Sequence, residues 1–247
     1  MTNVWKRILS TLLIAVVILA FIDSKLYAAS FINNNAENNN IKEEYSNVYR
    51  YKQNQNKEIA LTFDDGPHPI YTEIILDILK EYNIKATFFM IGENVLNYTD
   101  VALRVKSEGH EIGNHTVQHL TARCCTEAEL VSDMVNCAEI IYQKLGVKPC
   151  IVRPPEGAIV TSILRICSKI NCSVILWNVD TRDWAHTSPK NIYKNVIENT
   201  DSGDIILMHD YIGKNSPTPE ALRMIIPRLI DDGYSFVTVS ELIKADE

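Results

Sequence analysis

Two adjacent carboxylates, Asp64 and Asp65, follow the short apolar run Glu58-Ile59-Ala60-Leu61 and precede the turn signal Gly66-Pro67. Two acids at the exposed end of a strand repel each other. A bound cation relieves that repulsion, with one carboxylate as ligand and the other free to act as a base. An Asp-Gly turn capping the next helix accounts for the same residues. Farther on, His115 and His119 are four positions apart, so a helical turn or tight loop can aim both imidazoles at one point. A lone histidine is more often a surface or core residue than a ligand. Two histidines with a carboxylate from another strand end leave positions open for water and substrate, as a catalytic zinc site requires. Three further polar clusters complete the set: Arg153-Pro154-Pro155-Glu156-Gly157, Asp180-Thr181-Arg182-Asp183-Trp184 and Leu207-Met208-His209-Asp210.

The elements that must carry these clusters alternate from residue 58 onward. Apolar runs bounded by turn residues predict strands at 58–63, 86–91, 110–114, 149–152, 172–177, 204–208 and 235–239. Between them, helical spacing predicts helices at 70–82, 94–108, 126–145, 160–170, 188–200 and 217–232. Thr126 followed by Glu129 is a capping-box signature, and Gly109, Gly146 and Gly233 stand where helices should stop. Strand and helix repeated about seven times implies an α/β fold with a parallel sheet, either open or closed into a barrel. All five polar clusters then lie just past strand C-termini, the face where such folds build active sites.

Taken in order, Thr-Phe-Asp-Asp-Gly-Pro at 62–67, His-Thr-x-x-His at 115–119, Arg-x-Pro-x-Gly at 153–157, Asp-x-x-Asp-Trp at 180–184 and Leu-x-His at 207–209 resemble the polysaccharide deacetylase family. This is the NodB-homology domain of carbohydrate esterase family 4. The resemblance spans residues 58–245 and implies a distorted (β/α) barrel. It also implies metal-dependent hydrolysis of acetyl groups on amino-sugar polymers or xylan. Carried over, it makes Asp65, His115 and His119 the ligands of one divalent metal, zinc first, with cobalt or nickel as alternatives. Asp64 would be the general base, kept ionised by Arg153. His209 would be the general acid, held cationic by Asp183. Trp184 would wall the site and Leu207 would line the pocket for the acetyl methyl. Glu156 departs from the family's usual aromatic or small residue. Its backbone N–H would still serve the oxyanion, and its side chain is expected to meet a substrate hydroxyl. Asp210 and Tyr211, next to His209, are read as substrate contacts.

The chemistry is consistent on its own terms. Amide hydrolysis needs an activated water, charge stabilisation on the carbonyl oxygen and a separate acid for the amine that leaves. An Asp beside Arg and metal stays ionised, while a His beside Asp stays protonated, and opposed environments of this kind mark acid–base pairs.

Composition narrows the partners. The 247-residue chain has 24 basic and 31 acidic residues, a net charge of −7 and no basic stripe, so nucleic acid is not expected as a partner. Lys6-Arg7, an uncharged run from Ile8 to Ile22 and the small residues Ala28, Ala29 and Ser30 follow the order of a secretory signal. An N-terminal membrane anchor is the alternative for residues 1–30, and either places the remainder outside the cytoplasm, secreted or membrane-attached. Asn-rich residues 31–56 read as a polar linker with an extended arm near Tyr45–Tyr51, and residues 57–247 as the deacetylase domain. Six cysteines fit no zinc ribbon; Cys137 and Cys167 read as buried thiols, and any disulfide pairing stays open. The expectation is an exported monomer acting on peptidoglycan N-acetylglucosamine. Chitin or chitooligosaccharide deacetylation, acetylxylan esterase activity and a non-catalytic wall-binding role are the alternatives.

Overall fold

The structure, a computed structural model, describes residues 47–121 and 123–244. The expected export segment and most of the linker lie outside the described residues. No helix among the described residues is long and apolar enough to cross a membrane.

The strands are β1 (Val48–Tyr49), β2 (Glu58–Asp64), β3 (Thr87–Met90), β4 (Glu111–Asn114), β5 (Ile151–Val152), β6 (Ser173–Ile175), β7 (Val179–Asp180), β8 (Ile205–His209) and β9 (Ser235–Phe236). Helices α1 (Tyr71–Glu81), α2 (Gly92–Asn97), α3 (Thr99–Ser107), α4 (Glu127–Leu145), α5 (Thr161–Lys169), α6 (Pro189–Asn199), α7 (Thr218–Asp231) and α8 (Val239–Lys244) connect or follow them. Every paired strand is parallel to its neighbour, in the order β1-β6-β5-β4-β3-β2-β8-β7, and β9 joins the first two residues of β2. Only residues 176–178 separate β6 from β7, yet the two lie near opposite ends of this order. The sheet must therefore curl until its ends approach, which makes the expected distorted (β/α) barrel.

Period-2 alternation sorts the side chains. On β2 and β8, Ile59, Leu61, Phe63, Ile206 and Met208 face outward into the core under the helices. Ala60 and Ile205 face inward with Phe89, Ile151 and Ile175. Two residues farther along each strand the same inward face carries Thr62 and Leu207, and then Asp64 and His209. The interior is thus apolar at the strand N-termini and polar at the C-termini. Val239 and Leu242 of α8 pack into the apolar end.

Two expected elements differ, and two short strands were not expected. The helix at 94–108 is two helices, α2 and α3, broken at Tyr98, whose φ of −130° and ψ of 47° are not helical. The strand at 235–239 stops at Phe236, because Thr238 and Glu241 form a reciprocal cap that starts α8 (Thr238 N–H to Glu241 Oε2, 2.8 Å; Glu241 N–H to Thr238 Oγ1, 3.3 Å). Short β1 and β7 lack the apolar run that announces a strand; β1 supplies the arm expected near residues 45–51 and pairs with β6.

Candidate active site

Asp64 and His209 are direct partners across the β2–β8 ladder. One step past β2, Asp65 takes a φ of 77°, a left-handed conformation, and its carboxylate meets His115 Nε2 from beside that of Asp64 (3.4 and 3.8 Å). Asp65 Oδ1 lies 3.4 Å from His115 Nε2 and 3.4 Å from His119 Nε2. One ligand atom from each of these three residues falls within 4.8 Å of the others, the only such cluster among the described residues. Asp65 Oδ1 is buried without a hydrogen-bond donor. An orphaned, buried carboxylate oxygen facing two imidazole nitrogens fits a divalent cation.

The histidines come from a loop, not a helix, and its shape is set from outside. Asp133 of α4 accepts from Val117 N–H (2.9 Å) and Gln118 N–H (3.1 Å). Asn114 Oδ1 accepts from Thr116 N–H at 2.8 Å. His115 Nδ1 is 2.7 Å from the Arg153 carbonyl, to which it donates, so its Nε2 faces Asp65. Asp133 was missed in the sequence, although a carboxylate on the buried face of a long helix was a signal for it.

Arg153 is fully buried and spans the interior. Its Nη1 donates to Asp64 Oδ1 (2.7 Å) and Thr62 Oγ1 (2.8 Å), and Nε and Nη2 reach the carbonyls of Ile175 (3.3 Å) and Leu176 (3.1 Å). Phe89 and Trp177 lie against its guanidinium at 4.1 and 5.5 Å, and Trp177, partly buried, packs on the inward apolar cluster. Burial pulls the guanidinium below its ordinary value and the Asp64 charge opposes that pull. Asp64 Oδ2 points at the cluster, 3.8 Å from His115 Nε2.

On the other side, Asp183 Oδ1 is 2.8 Å from His209 Nδ1, and its Oδ2 accepts from His209 N–H (2.7 Å) and Thr218 Oγ1 (2.8 Å). Burial disfavours a charged His209; the Asp183 hydrogen bond and charge, with Asp64 and Asp65, outweigh it and push the imidazole up to about 9. Protonated His209 is therefore present below about pH 9 and lost above it. If it serves as the acid, Asp183→Asn should move the alkaline limb of kcat/KM down, toward the ordinary imidazole value of about 6.5. A pH–rate profile checks this, and an unmoved limb would remove the role of Asp183.

His115 carries a second pH consequence. Burial disfavours its charge, but Asp64 and Asp65 outweigh burial and hold it above its ordinary value. A cation must displace that proton. Zn2+ loading at neutral pH should release protons, and affinity should weaken as pH falls. Calorimetry in buffers of different ionisation enthalpy reads the proton directly; loading without release would contradict the ligand assignment.

The other expected residues are spread around this centre. Glu156 sits in a turn with φ 56°, its carboxylate 3.7 Å from Arg123. Trp184 is half exposed, its indole N–H reaching Asp180 Oδ1 at 3.3 Å. Leu207 is buried on the inward face of β8. Tyr211 is exposed and stacks on His68 at 4.3 Å. Asp210 corrects the sequence reading: it is only 1% exposed and cannot reach a polymer. Burial pushes its carboxyl up to about 7, against a hydrogen bond from Thr72. All six cysteines are free thiols, and Cys137, Cys167 and Cys172 are buried.

Comparison with known proteins agrees with this geometry. The polysaccharide deacetylase family description matches residues 51–175. A peptidoglycan-N-acetylglucosamine deacetylase of Bacillus cereus is 42% identical over 193 residues, covering 77% of this chain and 90% of the relative. The crystal structure of the Bc1960 peptidoglycan N-acetylglucosamine deacetylase superposes with a TM-score of 0.79 at 35% identity, over 85% of this chain and 98% of that one. A family 4 acetyl xylan esterase from Clostridium thermocellum, solved with a cobalt ion, gives a TM-score of 0.69 at 34% identity over 76% and 91% of the two chains. The chain belongs to the polysaccharide deacetylase family.

Proposed function

We propose that this protein is an exported, metal-dependent hydrolase that removes acetyl groups from peptidoglycan N-acetylglucosamine. The observation that carries the reading is the ladder pair Asp64 and His209, one clamped by Arg153 and the other by Asp183, beside the Asp65–His115–His119 cluster. A divalent cation held by Asp65, His115 and His119, zinc in our reading, would acidify water and polarise the acetyl carbonyl. Asp64 takes the proton from the attacking water, and Arg153 holds it oriented and compensates its charge. His209 donates its proton to the departing amine, which is otherwise a poor leaving group. Leu207 forms an apolar floor for the methyl group, and the Glu156 backbone N–H helps hold the developing oxyanion. Glu156, Trp184 and Tyr211, exposed side chains, would contact the sugar polymer.

The substrate assignment draws on the Bacillus cereus relative, whose name specifies peptidoglycan N-acetylglucosamine. Residues 1–30 as an export segment and the Asn-rich stretch after them as a tether would place the domain beside wall polymer. A net negative charge suits a substrate that is not polyanionic. The chain acts as a monomer in this reading.

The test is acetate release from peptidoglycan, chitooligosaccharides and acetylxylan offered in parallel. Release that is fastest from peptidoglycan supports the proposal. Release from acetylxylan alone would replace the amide with an ester, and release from none would move the protein to a binding role. Glu156→Ala adds a finer reading: an unchanged ranking of these polymers would show that its side chain selects nothing.

A further inference from the structure

We propose that Asp210 is a positioning residue, acting through Thr72 on the backbone turn that presents Asp65. The inference rests on Asp65 being a cation ligand, as above.

Residues 64–68 are tied at both ends to Asp210. Its own N–H donates to the Asp64 carbonyl at 3.2 Å. Its Oδ2 accepts from Thr72 Oγ1 at 2.5 Å, and the same hydroxyl oxygen accepts from His68 N–H at 2.7 Å. A hydroxyl has one proton. With His68 donating to the oxygen, that proton goes to Asp210, and Thr72 becomes a rigid link. Between the two ties stands Asp65 at φ 77°. A non-glycine residue there costs on the order of 1–3 kcal/mol and persists only where its surroundings impose it. Asn94 Nδ2 to the Asp65 carbonyl (2.7 Å) and Ile91 N–H to the Gly66 carbonyl (2.9 Å) restrain the opposite flank.

The carboxyl also lies hard against the turn. A Cβ on Gly66 would stand 1.9 Å from Asp210 Oδ2 and 2.4 Å from its Cγ and Oδ1. Glycine is needed at 66 for space, because Asp210 occupies the volume. One half of the carboxyl is bonded and the other is not. Asp210 Oδ1 is buried with no hydrogen-bond partner, a costly state that an apolar side chain would avoid. A poorly satisfied carboxyl held beneath a strained ligand turn is explained if its hydrogen bonds fix where Asp65 points.

The experiment measures Co2+ affinity of the full chain by competition with a chromogenic chelator, alongside the denaturation temperature of the metal-free protein. Thr72→Val removes the hydroxyl and keeps the shape; Asp210→Ala removes the carboxyl; Asp210→Asn keeps an oxygen that can face Thr72. The first two should weaken Co2+ binding roughly 10–100-fold, the range for groups that orient metal ligands. Asp210→Asn should stay near wild type. Thr72→Val and Asp210→Ala binding Co2+ as tightly as wild type, with only a lower denaturation temperature, would reduce the pair to core packing. Asp210→Asn losing as much as Asp210→Ala would overturn the hydrogen-bond account. Wild type failing to bind Co2+ would overturn the cation reading itself and this inference with it, whereas a failure confined to the variant pattern overturns this inference alone.

Discussion

Asp64→Asn should lower kcat for acetate release by roughly 10²–10⁴-fold, the usual contribution of a positioned acid or base. The amide is close to the carboxylate in size, so the hydrogen bond from Arg153 Nη1 to Oδ1 has an acceptor in the variant. What is lost is a group able to take a proton. Cation affinity and the fold should persist, because the cluster consists of Asp65, His115 and His119. KM should change little, since a general base acts in the transition state and contributes little to ground-state binding. A kcat within a few-fold of wild type would remove Asp64 from the mechanism.

Arg153→Leu should be the most destabilising single change at the site, by about 3–5 kcal/mol, the cost of breaking a buried ion pair from one side. The guanidinium is fully buried and donates to Asp64, Thr62 and the carbonyls of Ile175 and Leu176. Leucine fills part of the volume but leaves the Asp64 charge uncompensated inside the barrel. Urea denaturation of Arg153→Leu, Asp64→Asn and the double variant reads this as a cycle. The double variant should lose less than the sum of the singles, because removing the charge removes the penalty. Strict additivity, or a loss under about 1 kcal/mol, would contradict the pairing.

How far these residues could be read beforehand depended on what each was attached to. Four of the five polar clusters were legible because each follows an apolar run that reads as a strand, and a parallel fold gathers strand C-termini on one face; the Asp180–Trp184 cluster instead follows β7, two residues beyond the run expected at 172–177. Period-2 alternation even explains why Asp64 and His209 turn inward, since each continues an inward-facing series along its strand. The supports were harder to see. Asp133, Thr72 and Thr218 lie on helices that pack against the site from outside, and only the tertiary arrangement brings them to the loops they hold. Asp210 was misread because adjacency to His209 suggested exposure, while alternation past the strand end turns it beneath the chain. Strands of two residues, such as β1 and β7, have too few side chains to display a period. The Thr238–Glu241 cap was present in the sequence, but the apolar residues around it, Phe236, Val237 and Val239, read as a continuing strand.

The central claim is that a divalent cation at Asp65, His115 and His119 works with Asp64 and His209 to remove acetyl groups. Its most direct test is acetate release from peptidoglycan by chelator-treated protein to which Zn2+ is returned stepwise, with Asp65→Ala run in parallel. Activity lost to chelator, restored in full at one Zn2+ per chain and not restored in Asp65→Ala is the predicted result. Release that survives complete metal removal, or that returns equally in Asp65→Ala, would contradict the account.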